Sequence, residues 1–334
     1  MRKAIVVTGG AGYIGSHTCV QLWNAGYAPI IVDNLSNSNA SMIEGIERII
    51  ENSIPFYSID CCDRNAFLSV FKEHSVQGVI HFAAYKSVAE SVAHPEKYLS
   101  NNMGSLENVL SIMKELNIRN LVFSSSCTVY GEPDQNPVDE NTPWQEAASP
   151  YGHTKQLGEL AIQSVHTETK LGSVILRYFN PIGAHPSGQI GELPLGIPNN
   201  LVPVLISKLN SNHPLHVYGN DYPTLDGSCI RDYIHVMDLA DAHVKALQWL
   251  ETHPDAIEVF NIGQGKGNSV LEIIQLFEKA NNKLVPYQIT TRREGDIAKI
   301  WADNRKAQDQ LHWHPQRTTE EALRDAWNFH LSNP

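Results

Sequence analysis

Residues 4–17 read AIVVTGGAGYIGSH, a short apolar run that passes straight into Gly9-x-x-Gly12-x-x-Gly15 and then into a helical pattern. Glycine is required where a tight turn must bring bare backbone up to an anion, and where the following helix must sit close to the strand. A glycine-rich connection can also serve compact packing alone. Strand, turn and helix in that order favour a pyrophosphate cradle of the dinucleotide type.

Outward from this stretch the pattern repeats. The runs APIIVD, PFYSID, GVIHFA, NLVFSSS and SVILRYF alternate with helix-like segments. Strands flanked on both sides by helices imply an α/β fold, a Rossmann-type doubly wound parallel sheet. The second strand ends at Asp33, placed to accept hydrogen bonds from the hydroxyls of an adenosine ribose and to repel a 2′-phosphate. The adjoining DNLSNSNASM carries no Arg or Lys, so NAD is favoured over NADP. Asp60, at the end of the third strand, is placed to meet the adenine edge.

The 334 residues carry 25 Lys and Arg against 36 Asp and Glu, a formal charge of -11. That balance argues against a general nucleic-acid surface and for a small metabolite as partner. No run is apolar for long enough to cross a membrane, and MRKAIVVTGG opens on a strand rather than a leader, so the expected setting is cytoplasmic. Five cysteines without paired spacing suit reduced thiols. CxxC and HExxH are absent, and HWH at 312–314 lacks a third ligand nearby, so no metal site is expected.

From Asn180 the texture changes to NPIGAHPSGQIGELPLGIPNN, crowded with Gly, Pro and Asn. IHVMDLADAHVKALQWL then reads as a helix and EVFNIG as another buried strand. The expected division is a first domain of residues 1–180 plus about 235–262, and a smaller, discontinuous α/β domain of about 181–234 plus 263–334. Leu99, Met103, Leu106, Leu110 and Met113 form a helical stripe behind Pro95, suited to the core or to a second subunit. Thr318 and Glu321 have capping-box spacing.

SPYGHTK, residues 149–155, sets Tyr151 and Lys155 four apart at the start of a helix, on one face. Such pairs are commonly surface neighbours. Here the pair lies downstream of a cradle and of SSSCTVYG, whose Ser126 ends the fifth strand, and ligands bind outside the carboxyl ends of strands in open parallel sheets. A phenol of pKa about 10 must lose about 4 kcal/mol of proton affinity to act as a base near neutrality. One ammonium about 6 Å away supplies only about 2.8 kcal/mol at an effective dielectric of about 20. A second cation is needed, and oxidised nicotinamide carries one, while burial of the phenolate opposes both.

Together, TGGAGYIGSHT, SSSCTVYG, SPYGHTK, LRYFNPIGAHPSG, GIPNNL, GNDYPTLDG, RDYIHVMDLA and RREGD resemble the UDP-galactose 4-epimerases, extended members of the short-chain dehydrogenase superfamily. The resemblance runs from the first strand to the final helix, and the later loops are its most specific part. It implies a resident NAD held by Gly9, Gly12, Tyr13, Ile14, Gly15, Asp33, Asn34, Leu35, Ser36, Asn37, Ser38, Asp60, Cys61, Phe82, Ala83, Ala84, Tyr85, Lys86, Asn101 and Phe179. It implies Ser126, Tyr151 and Lys155 as catalytic residues touching cofactor, with Ser126 and Tyr151 also meeting the sugar. Asn180, Asn200, Leu201, Tyr218, Arg231, Arg293, Asp296 and Ile300 would form the UDP-sugar pocket, and the family forms homodimers.

Three positions depart from many relatives. Cys127 stands where alanine is common, and His153 lies inside the Tyr/Lys turn. Ile300 replaces a tyrosine where side-chain size is thought to gauge the group at sugar carbon 2. Epimerisation of UDP-N-acetylhexosamines or UDP-uronates therefore stays open as an alternative. A nucleotide-sugar 4,6-dehydratase would be expected to carry an acidic pair after the strand-five serines, and SSSCTVYG has none. A non-catalytic NAD-binding protein would have no need to keep Ser126, Tyr151 and Lys155 together.

Overall fold

Apolar runs of five to seven residues separated by amphipathic stretches can bury both strand faces only beneath helices. The computed structural model of the chain, which describes residues 2–293 and 295–333, does this. In order come β1 (Ala4–Thr8), α1 (Tyr13–Asn24), β2 (Ala28–Val32), α2 (Ser41–Ile50), β3 (Phe56–Tyr57), α3 (Arg64–Glu73), β4 (Val76–His81), α4 (Val88–Ala93), α5 (Pro95–Glu115), β5 (Asn120–Ser126), α6 (Pro150–Thr169) and β6 (Gly172–Tyr178). Then follow β7 (Asn180–Ile182), α7 (Leu201–Asn210), β8 (Leu215–Tyr218), β9 (Ile230–His235), α8 (Val236–Thr252), β10 (Ile257–Ile262), β11 (Gly267–Ser269), α9 (Val270–Asn281), β12 (Tyr287–Thr290), β13 (Lys299–Ile300), α10 (Arg305–Leu311) and α11 (Thr319–Ser332).

The main sheet has seven parallel strands in the order β3-β2-β1-β4-β5-β6-β10. Thr8 at the end of β1 stands between Val32 and His81, where the connections leave in opposite directions. A crevice opens there. On one face Ile5 and Val7 pack with Cys19, Leu22, Leu239 and Leu247, and on the other Val6 packs with Phe67, Leu106 and Val109. Each such side chain, fully buried, contributes about 1.5–3 kcal/mol.

β3 is shorter than PFYSID suggests. Only Phe56 and Tyr57 pair, with Ile31 and Val32, because among the described residues no further strand lies beyond this edge. The Leu99–Met113 stripe is also split: Leu106, Leu110 and Met113 are buried, whereas Leu99 is 46% exposed. At the start of α5 the inward side belongs instead to Tyr98, Asn102 and Ser105, all buried. Those residues face the crevice end of the sheet rather than its core.

The remaining strands form a sheet β11-β9-β13, with β7 alongside β9, and a parallel pair of β8 and β12. Leu205, Leu215, Val217, Ile273, Phe277, Leu323 and Trp327 make its separate apolar cluster. Capping boxes at Ser269 with Glu272 and at Thr318 with Glu321 start α9 and α11. β10 returns to pair with β6, and α8 joins the core beneath α1. Among the described residues no helix is long and apolar enough to cross a membrane.

Candidate active site

The turn after β1 is built around close backbone approaches. Gly9 has φ +70, and a Cβ there would lie 2.9 Å from the Ala83 nitrogen. A Cβ on Gly15 would lie 2.2 Å from the Gly9 carbonyl oxygen. α1 starts at Gly12 without a side-chain cap and has no acidic residue in its first turn. Its leading N–H groups and dipole are therefore left for an anion.

A cleft of about 520 Å³ runs from this turn, lined by Gly9, Gly12, Tyr13, Ile14, Gly15, Asp33, Asn34, Ser36, Asn37, Ser38, Asp60, Cys61, Phe82, Ala83, Ala84, Tyr85, Lys86 and Asn101. Tyr151, Lys155 and Asn200 complete the sequence-selected residues on its wall. The uncapped helix start, the side-chain-free turn and the acidic end at Asp33 fit a dinucleotide. Asp33 also organises its own loop: Oδ2 accepts from the Ala11 N–H (3.1 Å), and Oδ1 accepts from the Leu35 N–H (2.9 Å) and the Ser38 hydroxyl (2.8 Å). The turn-forming reading of Asp33 holds, and of the about four lone-pair sites a carboxylate offers, these three contacts leave about one. Leu35, at φ +57, turns into the core rather than the cleft.

α6 begins as its sequence predicts, with the Ser149 hydroxyl accepting from the Gly152 N–H (3.1 Å) and Pro150 in the first turn. Tyr151 and Lys155 are both buried on the side facing the sheet. The Lys155 Nζ donates to the Ser124 carbonyl (2.7 Å) and lies 5.8 Å from the Tyr151 ring centroid. Burial pushes the amine down to about 8, opposed by the Glu159 carboxylate. Burial holds the Tyr151 phenol well above its ordinary value; Tyr178 adds to this and a Ser126 hydrogen bond opposes it. Without a second cation, desolvation outweighs the neighbouring ammonium, and the phenol keeps its proton. Ser126 sits at the end of β5, its oxygen accepting from the Thr128 N–H (3.2 Å).

The residues selected for the sugar-nucleotide side lie apart from the cleft wall, with Asn200 the exception. Tyr218, Arg231, Arg293 and Asp296 converge on one another. The Asp296 carboxylate lies 2.7 Å from an Arg293 nitrogen and 3.8 Å from one of Arg231, and the Arg293 guanidinium sits 5.7 Å over the Tyr218 ring. Two guanidiniums on one carboxylate retain donors for a phosphate. Ile300 pairs with Arg231 across β13 and β9, and is buried with Phe179, Val129 and Tyr130. Leu201 opens α7. The Asn180 Oδ1 is buried and finds no partner among the described residues.

Other residues in the cleft wall or packed behind it were not selected from sequence. Glu192 joins Asn200 (2.6 Å) to Lys86 (3.5 Å), a polar bridge across the mouth between a loop of the first sheet and the glycine-proline-rich segment. Tyr178 and Asn199 also line the wall. Asn102 fixes the loop after β4 by bonding both the Tyr85 N–H (2.8 Å) and carbonyl (3.1 Å), and reaches α6 through Thr154 (3.1 Å). Glu159, one turn beyond Lys155, forms a buried pair with Arg177 at 2.7 Å. Its i+4 spacing from Lys155 was the one sequence signal available for any of these.

Residues 5–263 match the NAD dependent epimerase/dehydratase family. The chain is 49% identical to the UDP-glucose 4-epimerase of Bacillus subtilis strain 168, over 99% of this chain and 97% of that one. Among solved structures, the UDP-glucose-4-epimerase of Stenotrophomonas maltophila with bound NAD and formylated UDP-arabinopyranose is 43% identical, with a TM-score of 0.96 over 99% of this chain and 98% of that one. The UDP-glucose 4-epimerase of Bifidobacterium longum in complex with NAD+ and UDP is 42% identical, with a TM-score of 0.94 over 99% of each chain. Cradle, sheet order and full-length likeness agree, and this chain belongs to the NAD-dependent epimerase/dehydratase family.

Proposed function

We propose that the protein interconverts UDP-galactose and UDP-glucose by inverting carbon 4 of the sugar, with NAD as its resident cofactor. The observation that carries this reading is the placement of Tyr151 and Lys155 in the same cleft as an uncapped, glycine-built helix start. Bound there, NAD supplies a reversible hydride acceptor and a positive charge. Tyr151 is the acid/base: its phenolic oxygen takes the proton of the sugar 4-hydroxyl and returns it. Ser126, at the end of β5 beside the same phenol, holds that hydroxyl in line. Lys155 keeps an ammonium beside the phenol and lowers the cost of its ionised form.

Arg231 and Arg293 are the residues we assign to the pyrophosphate, with Tyr218, Asn180, Asn200 and Leu201 holding the nucleotide. Firm contacts on the nucleotide and weak ones on the hexose would let the keto sugar turn over between steps. The test is to incubate the NAD-loaded protein separately with UDP-galactose, UDP-GalNAc and UDP-galacturonate and identify each product. UDP-glucose should form from the first and set the fastest rate. Product from either of the others alone would move the assignment to that substrate class, and no product from any would overturn the epimerase reading.

We also infer a homodimer through the outer faces of α4, α5 and α6. Leu99, Leu160 and Val92 are 46%, 50% and 63% exposed there, an apolar surface that a second copy would cover. Sedimentation should give twice the chain mass; a single-chain mass at micromolar concentration would exclude it.

A further inference from the structure

We infer that Glu159 is a positioning residue for the Tyr151, Lys155 and Ser126 group, clamping helix α6 to the end of strand β5 from the same helical side as the Lys155 amine. This inference rests on the epimerase reading above. The two elements it joins carry all three groups: Tyr151 and Lys155 on α6, Ser126 at the last position of β5. Glu159 is fully buried and accepts from the Ser125 hydroxyl. Ser125 lies between Ser124, whose carbonyl holds Lys155, and Ser126. The bond therefore fixes the strand end where both neighbours act.

The carboxylate is itself held from the other side. Arg177 on β6 approaches it with Nε (3.0 and 3.2 Å) and with an outer nitrogen (2.7 Å). Arg177 in turn donates to the Tyr130 hydroxyl (3.1 Å) and the Glu140 carbonyl (3.2 Å), and the Tyr130 hydroxyl donates to Asn261 (2.6 Å). A fork of this kind allows little sideways movement of Glu159. α6, β5, β6 and β10 thus share one buried polar chain.

Its charge has a second effect. The titratable groups facing Lys155 and its tyrosine are Tyr151 and Glu159 of α6, His81 of β4, Tyr178 of β6, Tyr98 of α5 and Cys127 just past β5, and burial raises Tyr98 and Cys127 so that both stay neutral. Burial, with Lys155 adding, pushes His81 down to about 3, so it stays neutral. Burial pushes Tyr178 up to about 12, so it keeps its proton; burial pushes Tyr151 upward as well, and that phenol gives up its proton only beside the oxidised cofactor. Glu159 is the nearby group that opposes loss of the Lys155 proton. Removing its charge should let the amine deprotonate at lower pH.

The experiment compares the NAD-loaded wild type, Glu159→Gln and the double variant Glu159→Gln/Arg177→Met. Glu159→Gln keeps the shape but leaves the buried Arg177 charge unpaired, which costs folding stability; the double variant removes that charge as well. The wild type must first epimerise UDP-galactose, since failure there sinks the functional reading and not this one. In whichever variant folds, the alkaline limb of kcat should move to lower pH, with activity falling about tenfold per pH unit above the new limb. Nitrogen NMR of 15N-lysine-labelled protein should show Lys155 titrating earlier, its signal assigned by loss in Lys155→Met. A variant with wild-type kcat, limb and Lys155 titration would overturn the proposal, as would a uniform loss of activity with the limb and the titration unmoved.

Discussion

Tyr151→Phe should retain NAD and fold like the parent, while kcat for UDP-galactose falls by about a hundred- to ten-thousandfold. The substitution removes one oxygen and leaves the ring. That ring is buried, and the backbone of the first α6 turn is fixed independently by Ser149 and Pro150. The lost oxygen is the one assigned to exchange a proton with the sugar, on a ring that has Ser126 beside it and the Lys155 amine 5.8 Å from its centroid. KM should change little, because the nucleotide is gripped elsewhere. Single-turnover reduction of the bound cofactor by substrate separates the chemical step from product release. Turnover near the parent rate would remove Tyr151 from the chemistry.

A second large effect is expected at Gly15, where alanine should abolish cofactor retention and destabilise the fold by about 1–3 kcal/mol. The added methyl would lie 2.2 Å from the Gly9 oxygen and 2.8 Å from the Gly10 Cα, contacts with backbone that no side-chain rotation relieves. The turn cannot retreat, because Gly9 is itself against Ala83. α1 must therefore shift, taking its leading N–H groups off the anion. Gly104→Ala is the matched control: its Cβ would meet only the Cys62 Sγ at 3.7 Å, within α5. That change should raise stability by up to about 1 kcal/mol. Melting temperature and the NAD:protein ratio after gel filtration report both, and stoichiometric NAD on Gly15→Ala would contradict the cradle.

Much of this was legible because it is local. The strand-turn-helix at 4–17 and the Ser149 start of α6 each follow from short-range pattern and turn chemistry. The direction of the Tyr151 shift required burial as well as spacing: a nearby ammonium alone would lower the phenol, whereas enclosure raises it. Glu159 with Arg177, and Glu192 with Lys86, are pairs whose partners lie on other elements, and nothing in a one-dimensional pattern joins them. Leu99 misled for a related reason, since helical period identifies a stripe but not what lies opposite each turn.

The late return of β10 has a consequence for biosynthesis. β6 presents Val174, Ile175 and Leu176 along a strand whose outer edge is closed only by Ile257–Ile262. As the polypeptide leaves the ribosome, that edge waits open until the chain has been made through Ile262, offering unpaired amide and carbonyl groups to any passing strand. A chaperone that shields this ridge during translation would spare the nascent enzyme from aggregation, and a premature stop between the two strands should yield inclusion bodies.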